Sequence, residues 1–352
     1  MNKKTLYKIH KYSGLTVGFI LFIMAISGVI INYRDELLPM VYSDLMQVEA
    51  KETRAPIQEQ ILAIKEKYPN IKVTHYYTAE EDDTSSLAFY RPEGTLLPHL
   101  VALDPYTNEV KGSMPLTHNI FGLMIYVHAN LLAGKVGGWI VGFSGILLTF
   151  FFISGLTIWW PKNGFIEKIK TLPRNGARGL HRGIGIFLGL PLVFSGITGT
   201  MIAFDLMQPI GRMMGDKAKP EEMVLVQECT QEEEFNALSV LNTDQMKNLV
   251  SIHFCSKKNG LMKISFGHDE RSGHHGFIRL VVNPKNNEVL QTFDSNIDPA
   301  SWNANALTVY PLHTGAYFGG LGRILILICG IGLAILYITG LMPTLKKKLQ
   351  KK

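Results

Sequence analysis

The sequence predicts a membrane protein of four transmembrane α-helices carrying two α+β extracytoplasmic domains, assembled by internal tandem duplication. Three observations predict this fold class: four apolar blocks of bilayer length, two acidic stretches between them, and a repeat that lays the first half of the chain on the second. The apolar blocks run from about Tyr12 to Tyr33, Trp139 to Trp160, Gly183 to Phe204 and Gly320 to Met342. Each is close to the ~20 helical residues that cross a hydrocarbon core of ~30 Å.

Taken in order, the expected segments are 1–33 (N-terminus and first span), 34–127 (first outer domain), 128–160 (outer histidine segment and second span) and 161–182 (basic loop). They continue with 183–204 (third span), 205–312 (second outer domain), 313–342 (outer histidine segment and fourth span) and 343–352 (basic tail). The first block is expected to remain as a signal anchor. Its apolar run is too long for a signal peptide, and "AISGVIINYRDE" offers no small-x-small cleavage site.

Basic residues cluster before span one (Lys3, Lys4, Lys8, Lys11), between spans two and three (Lys162, Lys168, Lys170, Arg174, Arg178, Arg182) and after span four (Lys346, Lys347, Lys348, Lys351, Lys352). Short Lys- and Arg-rich segments stay on the cytoplasmic side, so both termini are expected there, in a bacterial inner membrane. These clusters account for the net charge of +6. No basic patch interleaved with aromatics lies outside them, which argues against nucleic-acid binding. Cys229 and Cys255 fall in the second outer domain and either pair or stay free, while Cys329 sits inside span four.

Each outer region reads as α+β. "PIQEQILAIKEKYPN" carries Ile57, Ile61, Leu62 and Ile64 at helical spacing, and "IKVTHYYT", "SSLAFYR" and "HLVALDP" are strand-like. In the second region "LNTDQMKNLVSIH" is the expected helix, with "LMKISFG" and "GFIRLVVNP" the expected strands. The repeat places His10, Gly14, Gly18, Ile26, Ser27 and Gly28 on His181, Gly185, Gly189, Ile197, Thr198 and Gly199. It also places His128 on His313 and "ISGL" at 153–156 on "ITGL" at 338–341.

Four histidines kept by both halves call for a chemical reason, since ionisable groups at membrane depth are costly. His10 and His181 lie at the inner ends of spans one and three, His128 and His313 on the outer approaches to spans two and four. Facing pairs at two depths suit one haem near each leaflet, six-coordinate through imidazole and therefore built for electron transfer. Gly14 and Gly18 follow His10 by one and two helical turns, as Gly185 and Gly189 follow His181, leaving a side-chain-free surface for a flat macrocycle. The same small-residue spacing also serves helix packing with no cofactor. "LLAGKVGG" is expected to break the helix after His128, and His118, which has no counterpart in the second half, competes as a ligand. "GHDERSGHHG" offers His268, Asp269, His274 and His275 as metal ligands, but its Gly and Ser read first as an exposed polar turn. Tyr126, Tyr310, Tyr317 and Trp302 either shape an outer site or form an interfacial aromatic belt.

With its "DPYTNEV" and "NPKNNEV" segments and its block "HANLLAGKVGGWIVGFSGILLTFFFISGLTIWWP", the chain resembles the PepSY-associated transmembrane family over nearly its whole length. The resemblance implies PepSY-type outer domains and two b-type haems with His10, His181, His128 and His313 as axial ligands. It also implies an oxidoreductase that reduces a ferric siderophore or similar ferric chelate from Fe(III) to Fe(II) during iron uptake. No dinucleotide-binding fingerprint is present, so electrons are expected from the quinol pool or a separate cytoplasmic reductase. The alternative is a haem-free, membrane-anchored regulator of an extracytoplasmic peptidase. A transporter fits less well, because the only break sign within a span is Pro191.

Overall fold

The computed structural model describes residues 2–79, 81–95, 97–160, 164–170, 176–206, 229–255, 260–268, 277–294 and 309–349. The first half of the chain forms α1 (Lys3–Ile31), α2 (Arg34–Val41), α3 (Ser43–Met46) and α4 (Ile57–Lys67). Strands β1 (Val73–Tyr77), β2 (Ser86–Tyr90), β3 (His99–Leu103) and β4 (Val110–Pro115) follow, then α5 (Ile120–Asn130) and α6 (Gly134–Trp159). The second half comprises α7 (Phe165–Lys170), α8 (Gly176–Phe187), α9 (Gly189–Ala203), α10 (Gln231–Asn236) and α11 (Thr243–Lys247). It continues with β5 (Leu249–His253), β6 (Met262–Gly267), β7 (Phe277–Asn283), β8 (Glu288–Asp294), α12 (Tyr310–Thr314) and α13 (Gly319–Leu349). These elements sort into a helical unit of residues 1–33, 124–210 and 303–352 and a sheet unit of residues 34–123 and 211–302.

In the helical unit three helical stretches are long and apolar enough to cross a membrane: α1, α6 and Ala316–Leu345. The expected third span is not one straight helix. It is the pair α8 and α9, bent by 63° at Leu188. Pro191 explains the bend, because it has no N–H for the carbonyl of Phe187 and its ring crowds that carbonyl. The pair counts as a fourth span only if taken together. Packing relies on small residues. A Cβ on Gly145 of α6 would lie 2.6 Å from the Gly196 carbonyl oxygen of α9, so the two backbones touch, and Thr200 Oγ1 donates to the Gly142 carbonyl across the same seam at 3.0 Å.

In the sheet unit both outer regions contribute four strands to one antiparallel sheet, in the order β4-β3-β2-β1-β5-β6-β7-β8. The register lines up Val101, Ala88, Tyr76, Ile252, Ile264 and Leu280 across six strands. This row is buried and belongs to the core, where Ile57, Ile61 and Ile64 of α4 cover it. The Tyr76 hydroxyl, which has no water to meet, donates to Gln60 Oε1 at 2.6 Å.

The expected strands at "IKVTHYYT", "SSLAFYR", "HLVALDP", "LMKISFG" and "GFIRLVVNP" correspond to β1, β2, β3, β6 and β7. The expected helix over "LNTDQMKNLVSIH" differs. Asn242 and Gln245 cap a single short helix, α11, and "LVSIH" is β5, because its Val and Ile suit a strand and β1 supplies its hydrogen bonds. At "DPYTN" the chain turns, with Asp104 Oδ1 accepting from the Tyr106 and Thr107 amides at 2.8 and 3.2 Å. Cys229 and Cys255, left open by the sequence, form a disulfide.

Candidate functional site

The helical unit brings the four histidines together as two pairs. His10 of α1 faces His181 of α8 with ring centres 6.4 Å apart and ring planes at 85°. His128 of α5 faces His313 of α12 with ring centres 6.0 Å apart and planes at 50°. Along α1 the level of His10 and that of Ser27, which touches His128, are separated by roughly 25 Å at 1.5 Å per residue. As the glycines of "LLAGKVGG" suggested, His128 lies on a helix of its own, α5, separated from α6 by a turn.

Each ring is held by its Nδ1. His128 Nδ1 lies 2.8 Å from the Met24 carbonyl and 3.2 Å from Ser27 Oγ; His313 Nδ1 lies 3.1 Å from both the Ser195 carbonyl and Thr198 Oγ1. His181 Nδ1 lies 2.9 Å from the Leu336 carbonyl and 3.3 Å from Thr339 Oγ1. His10 differs: its Nδ1 meets only Ser154 Oγ, at 2.7 Å. A carbonyl can only accept, so Nδ1 of His128, His181 and His313 must carry the proton. In the neutral ring Nε2 then keeps its lone pair for a metal, and it has no hydrogen-bond partner among the described residues.

Glycine makes room for each ring. A Cβ on Gly28, Gly155, Gly199 or Gly340 would lie 3.0, 3.3, 3.1 or 3.2 Å from Cε1 of His128, His10, His313 or His181 respectively. Hydroxyl and glycine are adjacent every time, in the triplets Ile26-Ser27-Gly28, Ile153-Ser154-Gly155, Ile197-Thr198-Gly199 and Ile338-Thr339-Gly340. Each apolar block therefore carries one seat, and each seat holds a histidine from another helix. The sequence displayed the triplet four times, but a local pattern cannot say which histidine it receives.

The glycines expected beside the inner pair divide. Around Gly14 and Gly185 a Cβ would find nothing nearer than Phe151 at 3.9 Å and Leu336 at 3.8 Å, whereas the rings of Tyr337 and Phe152 lie against Gly18 and Gly189. Gly189 also begins a new helix, so it does not continue the face of α8 that carries His181 and Gly185.

His118 is exposed in the turn before α5 and belongs to the sheet unit, where its carbonyl accepts from the Tyr42 hydroxyl at 3.2 Å. His268 pairs with Asp294 at 3.0 Å, while Asp269, His274, His275 and Trp302 lie outside the described residues. Tyr310 and Tyr317 are exposed and Tyr126 half-buried.

A metal bound by imidazoles from opposite sides through bonds of about 2.0 Å holds the two ring centres about 6 Å apart. Both pairs match that spacing, and neutral imidazole with a tethered Nδ1 is the donor that a low-spin iron porphyrin takes. None of the curated proteins matches this chain. The family model for the PepSY-associated TM region matches residues 7–347, and the chain belongs to that family.

Proposed function

We propose that the protein is a bacterial inner-membrane reductase that passes electrons from its cytoplasmic side to a ferric chelate outside, releasing Fe(II). The observation that carries this reading is the pair of histidine pairs, each with ring centres about 6 Å apart and Nε2 unengaged. His10 with His181 would hold the inner b-type haem, and His128 with His313 the outer one. When bound, each group supplies a one-electron Fe(III)/Fe(II) couple with no open coordination position.

The remaining work falls to the chain. The Met24, Ser195 and Leu336 carbonyls orient three of the rings, Ser154 the fourth, and the four seat glycines let the rings approach the helices. With α8 and α9 counted as one span the chain has four, and the flanking lysines and arginines support both termini on the cytoplasmic side. The mirrored strand order about β1 and β5, and two seats in each half of the chain, support an origin by tandem duplication. Electrons would come from membrane quinol or a separate reductase, one per ferric ion reduced.

The test is a dithionite-reduced minus oxidised spectrum of the detergent-purified chain with a pyridine haemochrome assay. Two low-spin b-type haems per chain are expected. A colourless protein after expression with added haem would sink the reading in favour of a haem-free regulator of a peptidase.

A further inference from the structure

The second face of the sheet carries a cluster that the histidine pairs of the helical unit do not explain. Register sets two neighbouring rows there: Phe89, His75, His253 and Lys263 in one, and Tyr77, Ser251, Ser265 and Arg279 in the next. His75 and His253 meet across the β1–β5 seam with ring centres 4.4 Å apart and planes at 70°, and the Tyr77 hydroxyl lies 3.5 Å from His253 Nε2. Tyr77 and Phe89 pack edge to face at 5.7 Å.

Arg279 is half-buried. Its Nε donates to Ser265 Oγ at 3.0 Å and its guanidinium stacks over Phe277 at 4.9 Å, yet no carboxylate pairs with it among the described residues. A guanidinium partly withdrawn from water regains only part of its hydration from one hydroxyl and one ring, and among the described residues its four N–H donors beyond Nε stay available. The described groups around it supply no negative charge. Burial, then His75, Arg279 and Lys263, hold His253 down to about 3, and burial and Lys263 lower His75, so both imidazoles are neutral near pH 7. The cluster thus sets the Arg279 guanidinium beside two neutral imidazoles and a phenol, with aromatic rings on one side.

We infer that this face binds a small anionic, oxygen-rich ligand, with Arg279 as its principal anchor and His75, His253 and Tyr77 as further hydrogen-bonding groups. Under the proposed function, on which the identity of the ligand rests, it is the ferric chelate, held through its carboxylate or catecholate oxygens. Charge-assisted hydrogen bonds to guanidinium favour such oxygens over neutral ones.

The experiment uses the full-length chain in detergent and gallium(III) complexes, which match ferric ones in charge and shape but do not accept electrons. Binding of an anionic carboxylate complex, an anionic catecholate complex and an uncharged hydroxamate complex is measured by calorimetry. Wild type should bind at least one anionic complex and prefer it to the uncharged one. Arg279→Gln should weaken that binding by at least about 10-fold, with Arg279→Lys in between. Thermal unfolding identifies a misfolded variant, and His75→Gln with His253→Gln is the independent second variant, expected to weaken binding severalfold. Wild type that binds none of the complexes, indifference to ligand charge, or folded variants that bind within twofold of wild type would overturn the inference. Because gallium is not reduced, binding in a protein that lacks haem would keep this site and refute only the reductase reading.

Discussion

The histidine pairs of the helical unit and the histidine pair of the sheet are built on opposite terms. In the helices the rings stand 6.0 and 6.4 Å apart, each tied through Nδ1 to another helix, with a glycine cleared behind it. In the sheet the rings touch edge to face at 4.4 Å, set opposite by strand register, and His75 Nδ1 meets Thr74 Oγ1 of its own strand at 2.9 Å. The first arrangement leaves space between two bare nitrogens; the second leaves none. Paired histidines can therefore serve different ends, and the spacing between rings separates them.

The sharpest way to break this comparison is to remove the rings. His10→Ala or His181→Ala should each remove one of the two proposed haems, and His128→Ala or His313→Ala the other, halving the pyridine haemochrome yield. His75→Ala and His253→Ala should leave that yield unchanged. Equal losses from both groups would erase the distinction.

A smaller effect tests the seats. His10 has only the Ser154 hydroxyl at Nδ1, whereas the other three rings keep a carbonyl if their hydroxyl is lost. Ser154→Ala should lower haem affinity by roughly 10-fold, in the range found for outer-shell partners. Ser27→Ala, Thr198→Val and Thr339→Val should each change it less. Haem retention during titration with apomyoglobin would rank the four.

The sheet pair should reveal itself through pH. An unfolded imidazole takes a proton near 6.5, but folded His253 does so only near 3, so between these values the unfolded state binds more protons. Stability is full above about 6.5 and falls as pH drops through that window, by up to about 1.4 kcal/mol per unit for one such group. The groups facing His253 are His75, Tyr77, Lys263 and Arg279. Unfolding of the sheet unit, followed from pH 7.5 to 5, should be less pH-dependent in His253→Gln than in wild type. The smallest change is expected from Gly28→Ala, whose Cβ sits 3.0 Å from His128 Cε1 and needs a shift of a few tenths of an ångström. Gly28→Val should perturb the outer haem spectrum more.

Much of this was legible in the residues. Apolar length gave three spans outright, and the third block showed its weakness at Pro191, although only the structure set the 63° bend. β5 was misread as helix because "LVSIH" lies next to a capped helical turn; its pairing with β1 is a contact between residues far apart in the chain. The hydroxyl-glycine triplets were visible four times but silent about their occupants.

By itself the sequence determined the family, the apolar blocks, the four repeated histidines and the strands with strong β-branched alternation, since hydrophobic period and local propensity act over a few residues. The tertiary structure alone decided which histidines meet, which triplet seats which ring, and that the two outer regions share one sheet with Arg279 in a row beside His75 and His253. Those outcomes depend on the register of strands and the approach of helices from distant parts of the chain, and each is fixed only when the backbones pack and their hydrogen bonds close.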